Sequence, residues 1–149
     1  MRQALNMTSI TRAVAVAIGA LAFTVGAQAA GDKAVYEQAQ ASAKAQYETA
    51  KKQCDSLGGN AKDVCQEEAK AARKKSEAEA EAAYKGTPKA QHDAKVNMAE
   101  ADYDVAKERC DDMSGDAKNA CVKDAKATLA RAKADAKAER DGAAPSAAR

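Results

Sequence analysis

Four cysteines carry most of the chemistry this sequence can do, and they form two pairs of equal spacing. Cys54 and Cys65 bracket Leu57-Gly58-Gly59-Asn60, and Cys110 and Cys121 bracket Ser114-Gly115-Asp116 in the same way. Thiols can hold zinc, exchange electrons or cross-link. A four-thiolate zinc site ordinarily spaces the cysteines of each pair two to four residues apart, and a catalytic dithiol is ordinarily C-x-x-C at a helix N-terminus, where the thiolate is stabilised. Here about ten residues separate the members of each pair, so neither pattern is present. Four cysteines allow three disulfide pairings. Cys54 with Cys65 and Cys110 with Cys121 is the pairing in which each bond spans one turn, with its two cysteines facing each other across an antiparallel helical hairpin. A metal- or redox-responsive use of the same four cysteines is the alternative.

No other residues assemble into a recognisable site. His92 is the only histidine and sits beside Asp93 on a helix, where an exposed imidazole is ordinary. There is no second histidine for zinc, no G-x-S-x-G, no phosphate loop and no dinucleotide fingerprint. Asp111, Asp112 and Asp116 gather around the second turn but fail the calcium-loop spacing. The run containing Arg73, Lys74, Lys75, Glu77, Glu79 and Glu81 reads as a solvated helix surface, and the four tyrosines as the largest pieces of a packing seam. The expectation is a protein that is not an enzyme, with no catalytic residue, no metal and no cofactor.

Helices must position the cysteines. Ala, Lys, Glu, Gln and Asp dominate the chain after residue 29, and alanine is the strongest helix former. Gly31-Asp32 opens a first helix, and Asn60 is placed to cap a second beginning at Ala61. Gly86-Thr87-Pro88 reads as a stop, an N-cap and a first helical residue. Asp116 caps a fourth helix that fades near Asp141. The resulting all-α fold is two tandem antiparallel hairpins, residues 30–85 and 86–141, followed by a loose tail at 142–149. The hairpins can form a loose four-helix bundle, stack end to end or stay flexibly joined.

The two hairpins read as copies of one unit. Residues 45–65 align without gaps on 101–121, matching Tyr47 with Tyr103, Gly59 with Gly115 and both cysteine pairs at a constant offset of 56. Tyr36, Ala43, Ala50 and Leu57 make one line of a coiled-coil-like seam, with Tyr47 and Cys54 on the next. Val96, Ala99, Tyr103, Ala106, Cys110 and Met113 make its counterpart. On the second helix Cys65, Ala69, Ala72, Ser76, Ala80 and Ala83 drift at spacings nearer eleven residues, as a straighter stripe would. Alanine seams bury little area, so each disulfide, closing a loop of about a dozen residues and contributing about 3 kcal/mol, is a large part of the expected stability.

The N-terminus supplies the compartment in which such bonds persist. Arg2 and Arg12, the apolar run Ala13 to Val25 and the small-x-small site Ala27-Gln28-Ala29 together read as a cleavable signal peptide over residues 1–29. The segment is too short and too diluted with Ala and Gly for a membrane anchor, and it ends in a cleavage signature. The whole chain carries 24 Lys and Arg against 22 Asp and Glu, so losing Arg2 and Arg12 leaves 22 of each. A neutral mature chain gives no reason to expect nucleic acid or anionic lipid as a partner. The cut also removes the only Phe, leaving a very thin supply of large apolar side chains.

The block Cys-x-x-Leu-x-Gly-Asn-Ala-Lys-Asp-Val-Cys, present as Cys54 to Cys65 and in variant form as Cys110 to Cys121, resembles small exported Ala/Lys-rich cysteine-repeat proteins of proteobacteria. These are often labelled TolA-like cell-envelope proteins. The resemblance covers most of the chain after residue 29 and implies an envelope role. The cleavable segment and loose tail lead us to expect neither the uncleaved anchor nor the folded C-terminal domain of TolA itself. A fainter similarity links the hairpins to the phosphate-starvation-inducible PsiF repeat, which also sets a glycine-containing turn between two cysteines, further apart. The functional expectation is a non-catalytic periplasmic protein with a structural, binding or stress-protective role. It would contact a protein partner or itself, without stable membrane insertion. A second alternative, from the eleven-residue drift and the Ala/Lys/Glu composition, is a desiccation-protectant-like amphipathic helix protein.

Overall fold

Asp32 opens the first helix: its backbone is extended and its carboxylate accepts a hydrogen bond from the Ala34 amide at 2.7 Å. That satisfies one of the amides every helix start leaves unpaired. The computed structural model describes residues 31–142, so the expected signal peptide and all of the tail but Gly142 lie outside the described residues. Four helices follow, α1 (Lys33–Cys54), α2 (Gly59–Lys85), α3 (Pro88–Cys110) and α4 (Gly115–Arg140), with no strand among the described residues.

The turn between α2 and α3 forms as its residues dictate. Gly86 adopts the left-handed conformation at φ 59°, Thr87 Oγ1 accepts from the Ala90 amide at 3.1 Å, and Pro88 begins α3. The starts of α2 and α4 differ from expectation. Gly58 and Ser114, not Asn60 and Asp116, occupy the capping positions, and neither makes a side-chain cap. The cause is the residue that follows each: Gly59 and Gly115 take φ of 57° and 55°, which reverses the chain one step earlier than a side-chain cap would. Each of these turns is also spanned by an ion pair, Lys62 to Asp55 at 3.1 Å and Lys118 to Asp111 at 2.9 Å.

The helices pack only on their neighbours in the chain: α1 on α2, α2 on α3, and α3 on α4. They therefore form an open row, and α4 does not return to close a bundle against α1. Side-chain size explains this. A closed four-helix bundle surrounds a central space that large residues must fill, whereas every buried residue here other than Val105 is alanine or cysteine. Pairwise contact is what alanine can complete. Nor are the hairpins loosely joined, because Ala71 of α2 packs with Ala101 and Val105 of α3 in a shared core. Arg109 meets Glu68 at 2.5 Å, Lys74 meets Asp104 at 3.1 Å, and Lys75 pairs with Asp102 across the same interface.

α3 thus has two working faces. The expected seam, with Tyr103, Ala106 and Cys110, turns toward α4, while Ala101 and Val105 meet α2 along a line absent from the sequence-based seam. Leu57 and Met113, expected at the ends of their seams, remain 43% and 46% exposed beyond the last helical turn.

Ala101 is fully buried. Ala101→Leu should overpack the α2·α3 contact and cost roughly 1–3 kcal/mol, read as a lowered urea midpoint by circular dichroism; an unchanged midpoint would mean that the two hairpins do not close on each other. At the end of α4, hydrogen bonds from Arg140 and Lys137, each 2.9 Å, hold the Asp141 carboxyl at a pKa of about 2 against an ordinary 3.8. A depressed carboxylate pKa stabilises the fold above the unfolded value and loses that contribution as pH falls through the folded one. The last turn of α4 should therefore fray between about pH 4 and about pH 2, visible in the carbon chemical shifts of residues 137–141.

Candidate functional site

The four cysteines are joined as Cys54–Cys65 and Cys110–Cys121, with Cα atoms 5.6 and 5.7 Å apart. Cys54 and Cys110 are wholly buried at the C-terminal ends of α1 and α3. No cysteine is free, and no group of three His, Cys, Asp or Glu residues comes together around a metal-sized space among the described residues. At the second turn Asp111 is engaged by Lys118, and Asp112 and Asp116 are exposed. His92 lies 3.2 Å from Asp93 through Nδ1, and Lys89 reaches the other carboxylate oxygen. The Lys89 hydrogen bond first, then that of His92, holds the Asp93 carboxyl below the usual carboxylate range.

What the packing creates beyond the disulfides is a groove. Between α3 and α4, Met98, Tyr103 and Leu129 with Ala99, Ala106 and Ala132 line an apolar trough of about 450 Å³. Its outer end is crossed by the ion pair between Lys95 and Glu139, and Lys133 bonds Glu100 at 2.6 Å alongside. The other hairpin has the same structure in the same register. Ala43, Tyr47, Ala50, Ala69, Ala72 and Ser76 line a groove of about 180 Å³, each 56 residues before a lining residue of the larger one.

One aligned position differs in what it lays over the groove. Where the second hairpin has Leu129, the first has Arg73. The Arg73 guanidinium carbon lies 4.9 Å from the centre of the Tyr47 ring, a cation–π contact that lays the side chain over the groove, with Nε held 3.3 Å from Glu77. Leu129 is shorter and has no charge to anchor on Tyr103, so the second groove stays open. No family model, curated protein or solved structure matches the chain.

The far ends of the hairpins diverge as well. Tyr36 and Tyr84 stack with centroids 4.9 Å apart, and the Gly31 amide donates to the Tyr84 carbonyl at 2.8 Å. A Cβ at Gly31 would lie 3.0 Å from the Ala83 oxygen and Tyr84 Cα, so any larger residue here would press on the end of α2. In the second hairpin His92 and Arg140 take the places of the tyrosines beside a polar depression.

Spacing led to the cysteines but not to the groove. Met98 and Leu129 belong to none of the expected seams; the signal that finds them is the pairing of Arg73 with Leu129 and of Ser42 with Met98 at the 56-residue offset. With a neutral apolar dye such as Nile red, Leu129→Arg should close the second groove and reduce bound fluorescence several-fold. Arg73→Leu should open the first and raise it. Identical binding by both variants and the parent would rule out the grooves as the apolar sites.

Proposed function

We propose that this chain is an exported, non-catalytic helical protein of the cell envelope, built from a duplicated hairpin and acting by structural or binding contacts. The observation that carries this reading is that both turns are closed by disulfides and no thiol is left over. Such bonds persist in oxidising compartments such as the periplasm and are rare where glutathione and thioredoxin keep thiols reduced. Residues 1–29 supply the route to that compartment. Among the described residues no helix is long and apolar enough to cross a membrane.

The geometry suits contact better than turnover. A trough on a stiff hairpin, lined mainly by Met, Tyr, Leu and Ala side chains, can receive an apolar side chain or helix face. The open row also leaves the outer faces of α1 and α4 in solvent.

The test is to follow a tagged chain by cell fractionation and mass spectrometry. The periplasmic fraction should contain a form lacking residues 1–29 whose four cysteines resist alkylation until reduced. An unprocessed cytoplasmic chain, or four thiols alkylated on the native protein, would overturn the reading; the second result would instead favour a metal- or redox-responsive use of the cysteines.

A further inference from the structure

The second hairpin departs from the first at the positions that close the first hairpin's groove. Tyr36 and Tyr84, whose rings stack across its far end, become His92 and Arg140. Arg73, which lies over Tyr47, becomes Leu129, and Ser42 becomes Met98. At its outer end the apolar trough of about 450 Å³ meets a polar depression of about 280 Å³, and the two share Lys95, Ala136 and Glu139 as lining. His92, Gln91 and Arg140 belong to the depression alone. One cleft thus has an apolar body and a polar mouth.

The sign of the mouth follows from its neighbours. Lys89, Lys95, Lys137 and Arg140 stand against Asp93, Glu139 and Asp141, four cations to three carboxylates before His92 is counted. Asp93 is shared between Lys89 and His92, and Asp141 between Lys137 and Arg140. The same positions in the first hairpin carry Lys33 and Lys85 against Glu37 and Glu81, and are neutral. Along the trough the carboxylates are already met within the protein: Asp102 pairs with Lys75, Glu100 with Lys133, and Asp135 is engaged, with Arg131 one turn before it on α4. An uncharged chain therefore suits the body of the cleft, and an anion suits its mouth.

We propose that this cleft binds a single-chain amphiphile with a carboxylate head, a fatty-acid anion, whose chain lies along Met98, Tyr103 and Leu129 and whose carboxylate is held by Lys95 and Arg140. This ligand class rests on the reading of the chain as a protein that acts by binding. The trough is lined on α4 from Glu139 to Ala125, a length of about 21 Å at the helical rise, which suits an extended chain. The pair of Lys95 and Glu139 crosses the boundary between body and mouth with side chains 50% and 39% exposed. Glu139 can thus yield its place on Lys95 to an incoming carboxylate and remain in solvent, with no buried charge left unpaired.

Isothermal titration calorimetry on the oxidised protein lacking residues 1–29, with monomeric dodecanoate, dodecanol or dodecyltrimethylammonium, tests this. Dodecanoate should bind once per chain and about tenfold more tightly than either of the others. Arg140→Gln should remove most of that advantage and leave dodecanol binding unchanged. Arg140 is exposed, so this variant should keep the helix content of the parent by circular dichroism. His92→Tyr with Arg140→Tyr, which restores the residues found in the first hairpin, should also weaken dodecanoate binding. Amide shifts induced by dodecanoate should fall in residues 92–106 and 125–140 and spare 36–50. No dodecanoate binding, an ammonium compound bound as tightly as dodecanoate, equal losses of dodecanoate and dodecanol in Arg140→Gln, or shifts centred on the first hairpin would overturn the proposal. Export and cysteine oxidation are read separately by fractionation and alkylation, so any of those results would leave the envelope reading standing.

Discussion

The bonds at the two turns take over the task that buried leucines perform in an ordinary helical hairpin. An alanine methyl group removed from water contributes on the order of 0.8 kcal/mol, and the buried residues here are almost all alanines. Each disulfide contributes about 3 kcal/mol on the chain-entropy account, so one bridge equals several buried methyls. Position matters as much as strength. With Cys54 tied to Cys65 and Cys110 to Cys121 at the base of each hairpin, the rotation of one helix against the other is fixed where they meet. The alanines further along then come into register without having to select it.

Small side chains also decide the architecture above the hairpin. Two alanine faces can approach closely, but four helices around a common axis would leave a centre that alanine cannot reach. The row therefore stays open, and α2 and α3 each pack on two sides. The hairpins have meanwhile diverged in what covers their grooves. Arg73 is held over Tyr47 by the ring and by Glu77, and Leu129 leaves its equivalent uncovered.

Much of this was legible in the residues because it depends on local rules. Gly86-Thr87-Pro88 specifies its turn by conformation and capping alone, and the cysteine spacing places both pairs because a hairpin turn brings symmetric positions together. The second face of α3 was not legible for a physical reason. In a helix this rich in alanine, a line such as Ala94, Ala101 and Val105 differs little in hydropathy from the solvent-facing lines, so periodicity singles out the aromatic and cysteine face and overlooks the other. The starts of α2 and α4 escaped in a different way: Asn60 and Asp116 are good caps, but Gly59 and Gly115 in the left-handed conformation fix the chain's path one residue earlier. The groove depends on a difference between two copies, which no single-helix pattern contains.

The same uniformity explains why charge matters at these interfaces more than its energy suggests. An exposed ion pair contributes about 0–1 kcal/mol, too little to hold helices together. Where every apolar contact is an alanine, however, sliding one helix along another by a turn replaces methyl with methyl and costs little. The positions of Glu68, Lys74 and Lys75 against Arg109, Asp104 and Asp102 then distinguish one register from the next. Alanine makes the faces able to meet, and the charges beside it select how they do. In such a protein a face should be judged by the pattern of charge bordering its small residues, because its apolar content is nearly the same on every side.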